Sequence, residues 1–237
     1  YITDILTEHA LQYIKKKHSK PFFLSLQFNA PHWPWQGPGD KAYPDTLGWP
    51  MGGSPIIFQA MMKSLDSAVG LIMKAVDEAN LSGNTVIIFT SDNGGEKFSD
   101  MGIYSGAKAE LWDGGIRVPA IIRWTGKIKP NTTTDQVIVT MDWTATILAL
   151  AGAKPDPALP LDGESILTVC TGNKKVYGRT LYWRMFQDKN QKAVRDGNWK
   201  YLLTEQGESL FDLSTDPSEK NNLKEKHPEI FTKLKTK

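Results

Sequence analysis

Apolar residues recur at helical spacing in two long segments of this sequence. In residues 3–17 they lie three or four positions apart, and Thr3 or Asp4 is suited to cap the first turn. A longer apolar stripe with the spacing of an amphipathic helix runs through residues 58–79. Its members are Met61, Leu65, Val69, Ile72, Met73 and Val76. The pattern predicts one helix in each segment.

Four shorter apolar runs, bounded by turn residues, predict buried strands. They cover residues 22–28, 85–90, 118–124 and 136–140. The last run leads into a helix that Asp142 caps and that ends near Gly152. A strand, a helix and a strand in succession across residues 22–90 are typical of a right-handed parallel βαβ unit. We therefore expect an α/β fold with a parallel-rich sheet flanked by helices.

The pattern changes after residue 152. A stretch rich in proline and aspartate is followed by short segments of alternating polarity, with turn residues between them. The segments are 180–185, 192–195, 199–203 and 209–213. They predict a small antiparallel sheet, and a terminal helix follows from Pro228. The expected organisation is an α/β domain in 1–152, a connector in 153–178 and a small α+β subdomain in 179–237.

Composition and charge exclude several classes of protein. The 237 residues include 28 Lys and Arg against 26 Asp and Glu, a net charge of +2. Because phosphate binding needs a concentrated basic face, so small a surplus gives no reason to expect a nucleic-acid partner. The single cysteine, Cys170, excludes an internal disulfide and a cysteine-based zinc site. Because no apolar run approaches ~20 residues, we also expect no membrane span.

Polar clusters follow or precede the predicted strands. They cover residues 29–34, 91–95 and 106–117. In a parallel α/β sheet, ligands bind beyond the carboxyl ends of the strands. The first cluster opens a proline-rich loop, 29–56, and loops of such length are usually functional. Taken singly, a histidine in a loop or an Asp-Asn-Gly-Gly turn is weak evidence for a site.

Taken together, four side chains of these clusters suit a tetrahedral oxyanion. Asp92 offers a carboxylate oxygen and Asn93 an amide oxygen, the ligands that Ca²⁺ and Mg²⁺ prefer, and the adjacent glycines would let the backbone approach an ion closely. Lys108 adds a fixed positive charge and His32 a titratable group. Such a site could hold sulfate or phosphate and stabilise charge on a leaving oxygen.

At these residues the sequence resembles the sulfatase family, within the alkaline phosphatase-like superfamily. The resembling stretches are 21–24, 30–32, 89–95, 106–108, 112–119, 210–213 and 216–217. The resemblance implies a partial alkaline phosphatase-like fold, with Asp92 and Asn93 as ligands of one divalent cation, usually Ca²⁺, with Mg²⁺ as the alternative. It implies that Lys108 binds a sulfate oxygen, and that His32 contacts the ester and helps to protonate the leaving oxygen. Trp33 is a further candidate for substrate binding.

One departure from the family pattern is large. Sulfatases use a formylglycine made from the Cys or Ser of a Cys/Ser-x-Pro/Ala-x-Arg motif, and no such motif occurs here; Thr171 and Gly172 follow Cys170. We therefore expect the C-terminal part of a sulfatase, with the formylglycine in a missing N-terminal half. Alone it should be inactive, hold Ca²⁺ weakly and self-associate through an exposed sheet edge.

The substrate and two other functions stay open at this point. The expected substrate is a sulfated small molecule or glycan, and a periplasmic or secreted location is expected. One alternative is a phosphatase or phosphomutase of the same superfamily, whose two-metal members place Asp-His where this chain has Asp92-Asn93. The other is a non-catalytic carbohydrate-binding module that stacks a sugar on Trp33, Trp35 and Trp49.

Overall fold

Residues 1–41, 48–186 and 190–237 are described in this computed structural model. The chain divides into two units, Tyr1–Val86 and Ile87–Lys237. This division lies inside the predicted α/β domain, so the organisation into 1–152, 153–178 and 179–237 stays a prediction. The two units are described separately below.

The first unit contains the two predicted helices, α1 (Ile2–Ile14) and α2 (Pro55–Glu78), which pack against each other. Ser54 caps α2, since its side chain accepts a hydrogen bond from the Ile57 amide at 3.2 Å, and Pro55 occupies the first helical position. Of the predicted apolar stripe, Met61, Leu65 and Val76 are buried, and the other three members are half-buried. Ala68 and Ala75 are buried on the same helix. A short 3-10 turn, Ser82–Asn84, follows α2.

Helix α2 bears on the expectation of no membrane span, which stays a prediction. By length and composition it could cross a membrane, since it has 24 residues and its most apolar window has a mean hydropathy of 1.4. Its apolar residues are spread among small and polar ones, so no continuous apolar run marks it in the sequence. The core helix of a soluble protein passes the same criterion, although only 11% of this window is buried.

The predicted loop 29–56 contains no helix or strand before α2 in its described residues, as expected; its residues 42–47 lie outside the described part of the chain. The preceding run, 22–28, is not a strand. Its side chains alternate between half-buried and exposed, which is the period of an extended chain, but it belongs to no ladder. The apolar run predicted a buried strand, and this prediction is wrong: the segment is extended and only partly buried, and a strand also requires a neighbour to pair with.

The second unit begins with β1 (Ile87–Thr90), which pairs with β2 (Ala120–Arg123). The pairing is antiparallel, from Ile87 opposite Arg123 to Thr90 opposite Ala120. The parallel βαβ unit expected across residues 22–90 is wrong for the described residues, because 22–28 belongs to no ladder and both sheets are antiparallel. The chain between β1 and β2 forms glycine-rich loops around a single turn of helix, α3 (Asp113–Ile116), with no crossover helix.

Two further helices follow, α4 (Met141–Leu150) and α5 (Leu167–Cys170), and the run 136–140 is not a strand. Asp142, fully buried in the first turn of α4, accepts hydrogen bonds from the Val139 and Glu164 amides, both at 2.8 Å. It also forms a two-point ion pair with Arg179, at 2.5 and 3.0 Å. Asp142 thus ties α4 to Glu164, which precedes α5, and to Arg179, which directly precedes β3.

The C-terminal sheet matches its prediction. Its strands, in spatial order, are β3 (Thr180–Met185), β4 (Gln191–Asp196), β5 (Trp199–Thr204) and β6 (Gly207–Asp212). All neighbours are antiparallel, and Gly197 and Gly207 adopt positive φ in the turns, where a side chain would be strained. Helix α6 (Pro228–Lys235) closes the chain. The mixed α/β class with a small antiparallel sheet and a terminal helix is confirmed.

This sheet carries a separate apolar cluster on each face, because alternate residues of a strand point to opposite sides. On one face Val194, Tyr201 and Leu210 pack with Leu234 of α6. The other face is formed by their neighbours Ala193, Leu202 and Phe211, and it packs against Leu111, Trp112 and Ile116. The segment that begins α3 therefore lies directly on the sheet.

Candidate active site

Asp92 and Asn93 lie in the loop that follows β1, as their position after an apolar run predicted. Asp92 is exposed, and its Oδ1 accepts a hydrogen bond from the Asn93 amide at 2.9 Å. The Ser91 hydroxyl lies 3.4 Å from the same oxygen and from the Asn93 carbonyl oxygen. These local bonds hold the carboxylate at the tip of the loop, with Asn93 half-buried beside it.

The glycines after Asn93 join this loop to the segment around α3. The Gly94 amide donates to the Gly115 carbonyl oxygen, and the Lys108 amide donates to the Gly95 carbonyl oxygen, both at 2.8 Å. A Cβ atom on Gly94 would lie 1.8 Å from the Gly114 carbonyl oxygen. We expected these glycines to let the backbone approach an ion, and in the structure they let it approach another stretch of backbone.

The segment around α3 is folded just as tightly on itself. The Gly114 amide donates to the Ser105 carbonyl oxygen at 2.7 Å, and a Cβ atom on Gly114 would lie 2.3 Å from the Gly106 carbonyl oxygen. Gly106 itself has a φ of +77°, which glycine adopts without strain. Three stretches of backbone, 94–95, 105–108 and 114–115, therefore form one interlocked framework.

This framework places Lys108 beside the metal-candidate loop, residues 91–95, which carries Asp92 and Asn93. Its ammonium lies 3.5 Å from the Glu96 carboxylate, and both side chains are about three-quarters buried. Nearby, the Glu110 carboxylate accepts the Ala107 amide at 3.2 Å, and the Asp113 carboxylate pairs with Lys200.

Asp113 belongs to a buried charged cluster with Lys200 and Glu219, defined here as the Lys200 cluster. The Lys200 ammonium lies 2.7 Å from the Asp113 carboxylate and 2.7 Å from the Glu219 carboxylate. The other Glu219 oxygen accepts the Asp113 amide at 2.6 Å. Burial raises the pKa of Glu219, and the Lys200 ammonium opposes that rise in part.

Sequence reasoning missed Lys200 and Glu219. The signal for Lys200 is a charged residue on the same face of β5 as Leu202, where a buried position is predicted to be apolar. Glu219 lies two residues after the Asp216-Pro217 pair that carries part of the family resemblance.

His32 and Trp33 lie in the first unit, on the proline-rich loop. His32 is exposed, and its Nδ1 is 2.6 Å from the Trp33 carbonyl oxygen. The Trp33 indole donates to the Met51 carbonyl oxygen at 2.9 Å. Trp35 is only 2% exposed, so it is a core residue and not part of a sugar-stacking surface, whereas Trp49 is 63% exposed.

Backbone hydrogen bonds thus join the loop of Asp92 and Asn93 to the segment that carries Lys108 within the second unit. The convergence of His32 and Trp33 on the same site stays a prediction, because those residues belong to the first unit.

Two family models match the chain. The sulfatase model matches residues 1–153, and a model described as N-sulphoglucosamine sulphohydrolase, C-terminal, matches residues 100–237. The chain belongs to the sulfatase family. The family predicted from the sequence motifs is therefore confirmed.

Curated sulfatases align over nearly the whole chain. An N-acetylgalactosamine-6-O-sulfatase of Bacteroides thetaiotaomicron is 32% identical, with 98% of this chain and 49% of the relative aligned. Human arylsulfatase A is 31% identical, with 89% of this chain and 41% of the relative aligned. The chain spans about half, or less, of the length of the curated sulfatases that it matches.

Solved structures agree with the sulfatase assignment. The crystal structure of Ps i-CgsB has a TM-score of 0.85 and 29% identity, covering 99% of this chain and 53% of that one. A protein of the alkaline phosphatase superfamily from Vibrio parahaemolyticus has a TM-score of 0.57 at 18% identity, which supports the fold alone.

Sulfatase membership implies a divalent metal ion. The candidate residues of this chain have the oxygen donors that such an ion prefers, but they supply too few of them to complete a site. Asp92 and Asn93 supply hard oxygen donors, whereas Ca²⁺ takes 6–8 oxygen ligands. Over residues 1–41, 48–186 and 190–237, no group of three or more His, Cys, Asp or Glu side chains could hold a metal. A metal site at Asp92 and Asn93 therefore stays a prediction.

Proposed function

We propose that the protein to which this chain belongs hydrolyses sulfate esters, and that the chain supplies part of its cation and sulfate site. The observation that carries the proposal is the interlocked backbone that holds Asp92, Asn93 and Lys108 together in a member of the sulfatase family. The isolated chain is proposed to be inactive, because it lacks the Cys/Ser-x-Pro/Ala-x-Arg motif.

In this proposal Asp92 and Asn93 are ligands of a divalent cation, Ca²⁺ or Mg²⁺. When bound, such a cation polarises the sulfate oxygens and stabilises the charge that develops in the transition state. The local hydrogen bonds to Asp92 Oδ1 hold the carboxylate in place, which reduces the ordering that ligation requires. Two oxygen donors are too few for tight binding, so the isolated chain is proposed to hold Ca²⁺ weakly.

Lys108 is proposed to bind a sulfate oxygen through its ammonium group. Its backbone is fixed by the hydrogen bond to Gly95, and Glu96 orients the side chain from 3.5 Å. An ammonium held in advance near the metal-candidate loop stabilises negative charge without further reorganisation of the side chain during the reaction.

His32 is proposed to protonate the leaving oxygen. A carbonyl oxygen only accepts hydrogen bonds, so the Nδ1 that faces Trp33 carries a proton. Nε2 is then the nitrogen that gains and loses a proton. Trp33, whose indole is anchored on Met51, is proposed to contact the substrate beside it.

A sulfated glycan is the proposed substrate class. One relative is named an N-acetylgalactosamine-6-O-sulfatase, and another structure of Ps i-CgsB, also 29% identical, contains k-i-k-neocarrahexaose. The half-buried Trp33 offers an aromatic face of the kind on which sugar rings stack.

The test is sulfate release by the full-length protein from a panel of sulfated mono- and oligosaccharides. Phosphate monoesters are included to test the phosphatase alternative. We expect Asp92→Asn and Lys108→Ala to lower kcat/KM by about 10²–10³-fold, the range seen when one group that stabilises transition-state charge is removed.

Matched controls are available on α2. Asp66→Asn and Lys63→Ala change exposed residues of the same types and should leave kcat/KM unchanged. Sulfate release by folded Asp92→Asn and Lys108→Ala variants at the wild-type rate would overturn the proposed site, and faster turnover of phosphate than of sulfate esters would overturn the proposed reaction.

A further inference from the structure

The Lys200 cluster buries three charged side chains. Those of Lys200 and Glu219 are fully buried, and that of Asp113 is 4% exposed. Arg117, whose side chain is 49% exposed, adds a second positive charge at the edge of the cluster, 3.5 Å from the other Asp113 oxygen. Both buried carboxylates therefore have a cationic partner, as the burial of charge requires.

The cluster is not the most stabilising way to fill this space. It adjoins the apolar residues Ala193, Leu202 and Phe211, and buried ion pairs are often no more stabilising than well-packed apolar side chains of similar volume. Charged groups instead impose a specific geometry, because the carboxylate oxygens and the ammonium each have defined partners. The Lys200 cluster therefore selects one arrangement of the segment above it.

That segment is tied to the C-terminal sheet at several points besides the cluster. The Leu111 amide donates to the Gln191 side-chain oxygen at 2.9 Å, and the Ser105 hydroxyl donates to the Ser218 carbonyl oxygen at 2.5 Å. Glu219 follows Ser218 directly and accepts the Asp113 amide. Both ends of the stretch 105–113 are thus held by the sheet and by the chain that leaves β6.

Two backbone hydrogen bonds connect the segment 105–115 to the loop that contains the candidate ligands Asp92 and Asn93. Asp113 precedes Gly114 and Gly115, and the Gly115 carbonyl oxygen accepts the Gly94 amide next to Asn93. In the same framework the Lys108 amide donates to the Gly95 carbonyl oxygen. A displacement of Asp113 would therefore move the metal-candidate loop and Lys108 together.

We propose that Lys200 and Glu219 are positioning residues for the sulfatase reaction, which set the place of Asp92, Asn93 and Lys108 through Asp113 and the glycine framework. The proposal rests on the proposed function. Neither residue touches the substrate or the cation, and both act from the C-terminal sheet and the chain that follows it.

The experiment uses the full-length protein with Lys200→Met and Glu219→Gln, which remove charge at nearly constant volume. We expect each to lower kcat/KM and the Ca²⁺ affinity measured by calorimetry by about 10–100-fold, as substitutions behind metal ligands do. Faster hydrogen–deuterium exchange should be confined to peptides that cover 91–95 and 105–116.

Arg179→Met is the matched control, because Arg179 and Asp142 form an equally buried ion pair in the same unit. It should lower the thermal midpoint as Lys200→Met does, with Ca²⁺ affinity and kcat/KM unchanged. Should Lys200→Met not fold, the neutral triple variant Asp113→Asn/Lys200→Met/Glu219→Gln and the single Glu219→Gln carry the same expectation.

Folded variants with wild-type kcat/KM and wild-type Ca²⁺ affinity would overturn the positioning role. A loss in Ca²⁺ affinity no larger than that of Arg179→Met would overturn it as well. Asp92→Asn separates the two proposals: if it is inactive while the Lys200 and Glu219 variants are normal, only the positioning role fails. Full activity of Asp92→Asn means that the proposed site itself has failed.

Discussion

At Gly94 the backbone of the loop after β1 comes so close to Gly114 that no side chain fits between them. The contact is backbone against backbone, so neither partner can rotate away as a flexible side chain could. The same holds at Gly114, which faces the Gly106 carbonyl oxygen. The positions of Asp92 and Asn93 thus depend on two residues that have no functional group.

Replacement of Gly94 by Ala should therefore destabilise the fold and impair the candidate site. We expect Gly94→Ala to lower the free energy of unfolding of the full-length protein by at least about 2 kcal/mol, the range for substitutions that force backbone strain, and to lower kcat/KM. Gly70→Ala is the control, because Gly70 lies within α2 with nothing near its Cβ position and should gain up to about 1 kcal/mol. Equal midpoints for the two variants in denaturant titrations would contradict the account of Gly94.

The two faces of the C-terminal sheet pack against different elements. Helix α6 covers one face through Leu234 and is held at its end by Lys235, whose ammonium lies 2.9 Å from Glu208 on β6. The other face supports α3 and the glycine framework. The sheet therefore links the terminal helix to the candidate site without supplying a residue that we place in contact with substrate.

The ion pair between Lys235 of α6 and Glu208 of β6 should lose its stabilising effect at low pH. Lys235, and next the Tyr201 hydroxyl at 2.7 Å, hold the pKa of Glu208 below its ordinary value. A carboxylate with a lowered pKa binds fewer protons in the folded than in the unfolded state. Its stabilisation is therefore present above the unfolded pKa of about 4.3 and is lost as the pH falls through the folded pKa.

We expect Lys235→Gln to destabilise the protein at pH 7 by roughly 0.2–1 kcal/mol, since the pair is exposed, and the difference to vanish near pH 3. Urea titrations at both pH values measure it. Lys226→Gln, an exposed lysine just before α6, should show no such dependence. A difference between wild type and Lys235→Gln that persists unchanged at pH 3 would argue against the ion pair.

For the whole molecule, the described residues leave apolar surface and strand edges open in both units. In the first, Phe23 is 69% exposed on the extended segment that has no ladder. In the second, Ile121 is 59% exposed on β2, in a sheet of two strands. Such edges and apolar patches favour pairing with another chain.

We therefore predict that the isolated 237-residue chain self-associates. Light scattering should give a mass above that of the 26.5 kDa monomer and rising with concentration. Ile121→Lys, which places a charge on the open strand, should reduce the association. A monomeric mass at all concentrations would contradict the prediction, and Lys63→Glu serves as a control for a charge change on α2.

Local patterns in the sequence determined helices α1, α2, α4 and α6, the C-terminal sheet and the candidate residues Asp92, Asn93 and Lys108, because periodicity, turn residues and side-chain chemistry are read within a few positions. The tertiary structure decided the antiparallel pairing of β1 with β2, the unpaired state of 22–28 and the ion pair between Lys108 and Glu96. It also decided the Lys200 cluster, which joins residues 87 and 106 positions apart. Strand direction, close backbone approach and buried charge pairing depend on which distant segments meet, and no local pattern encodes that.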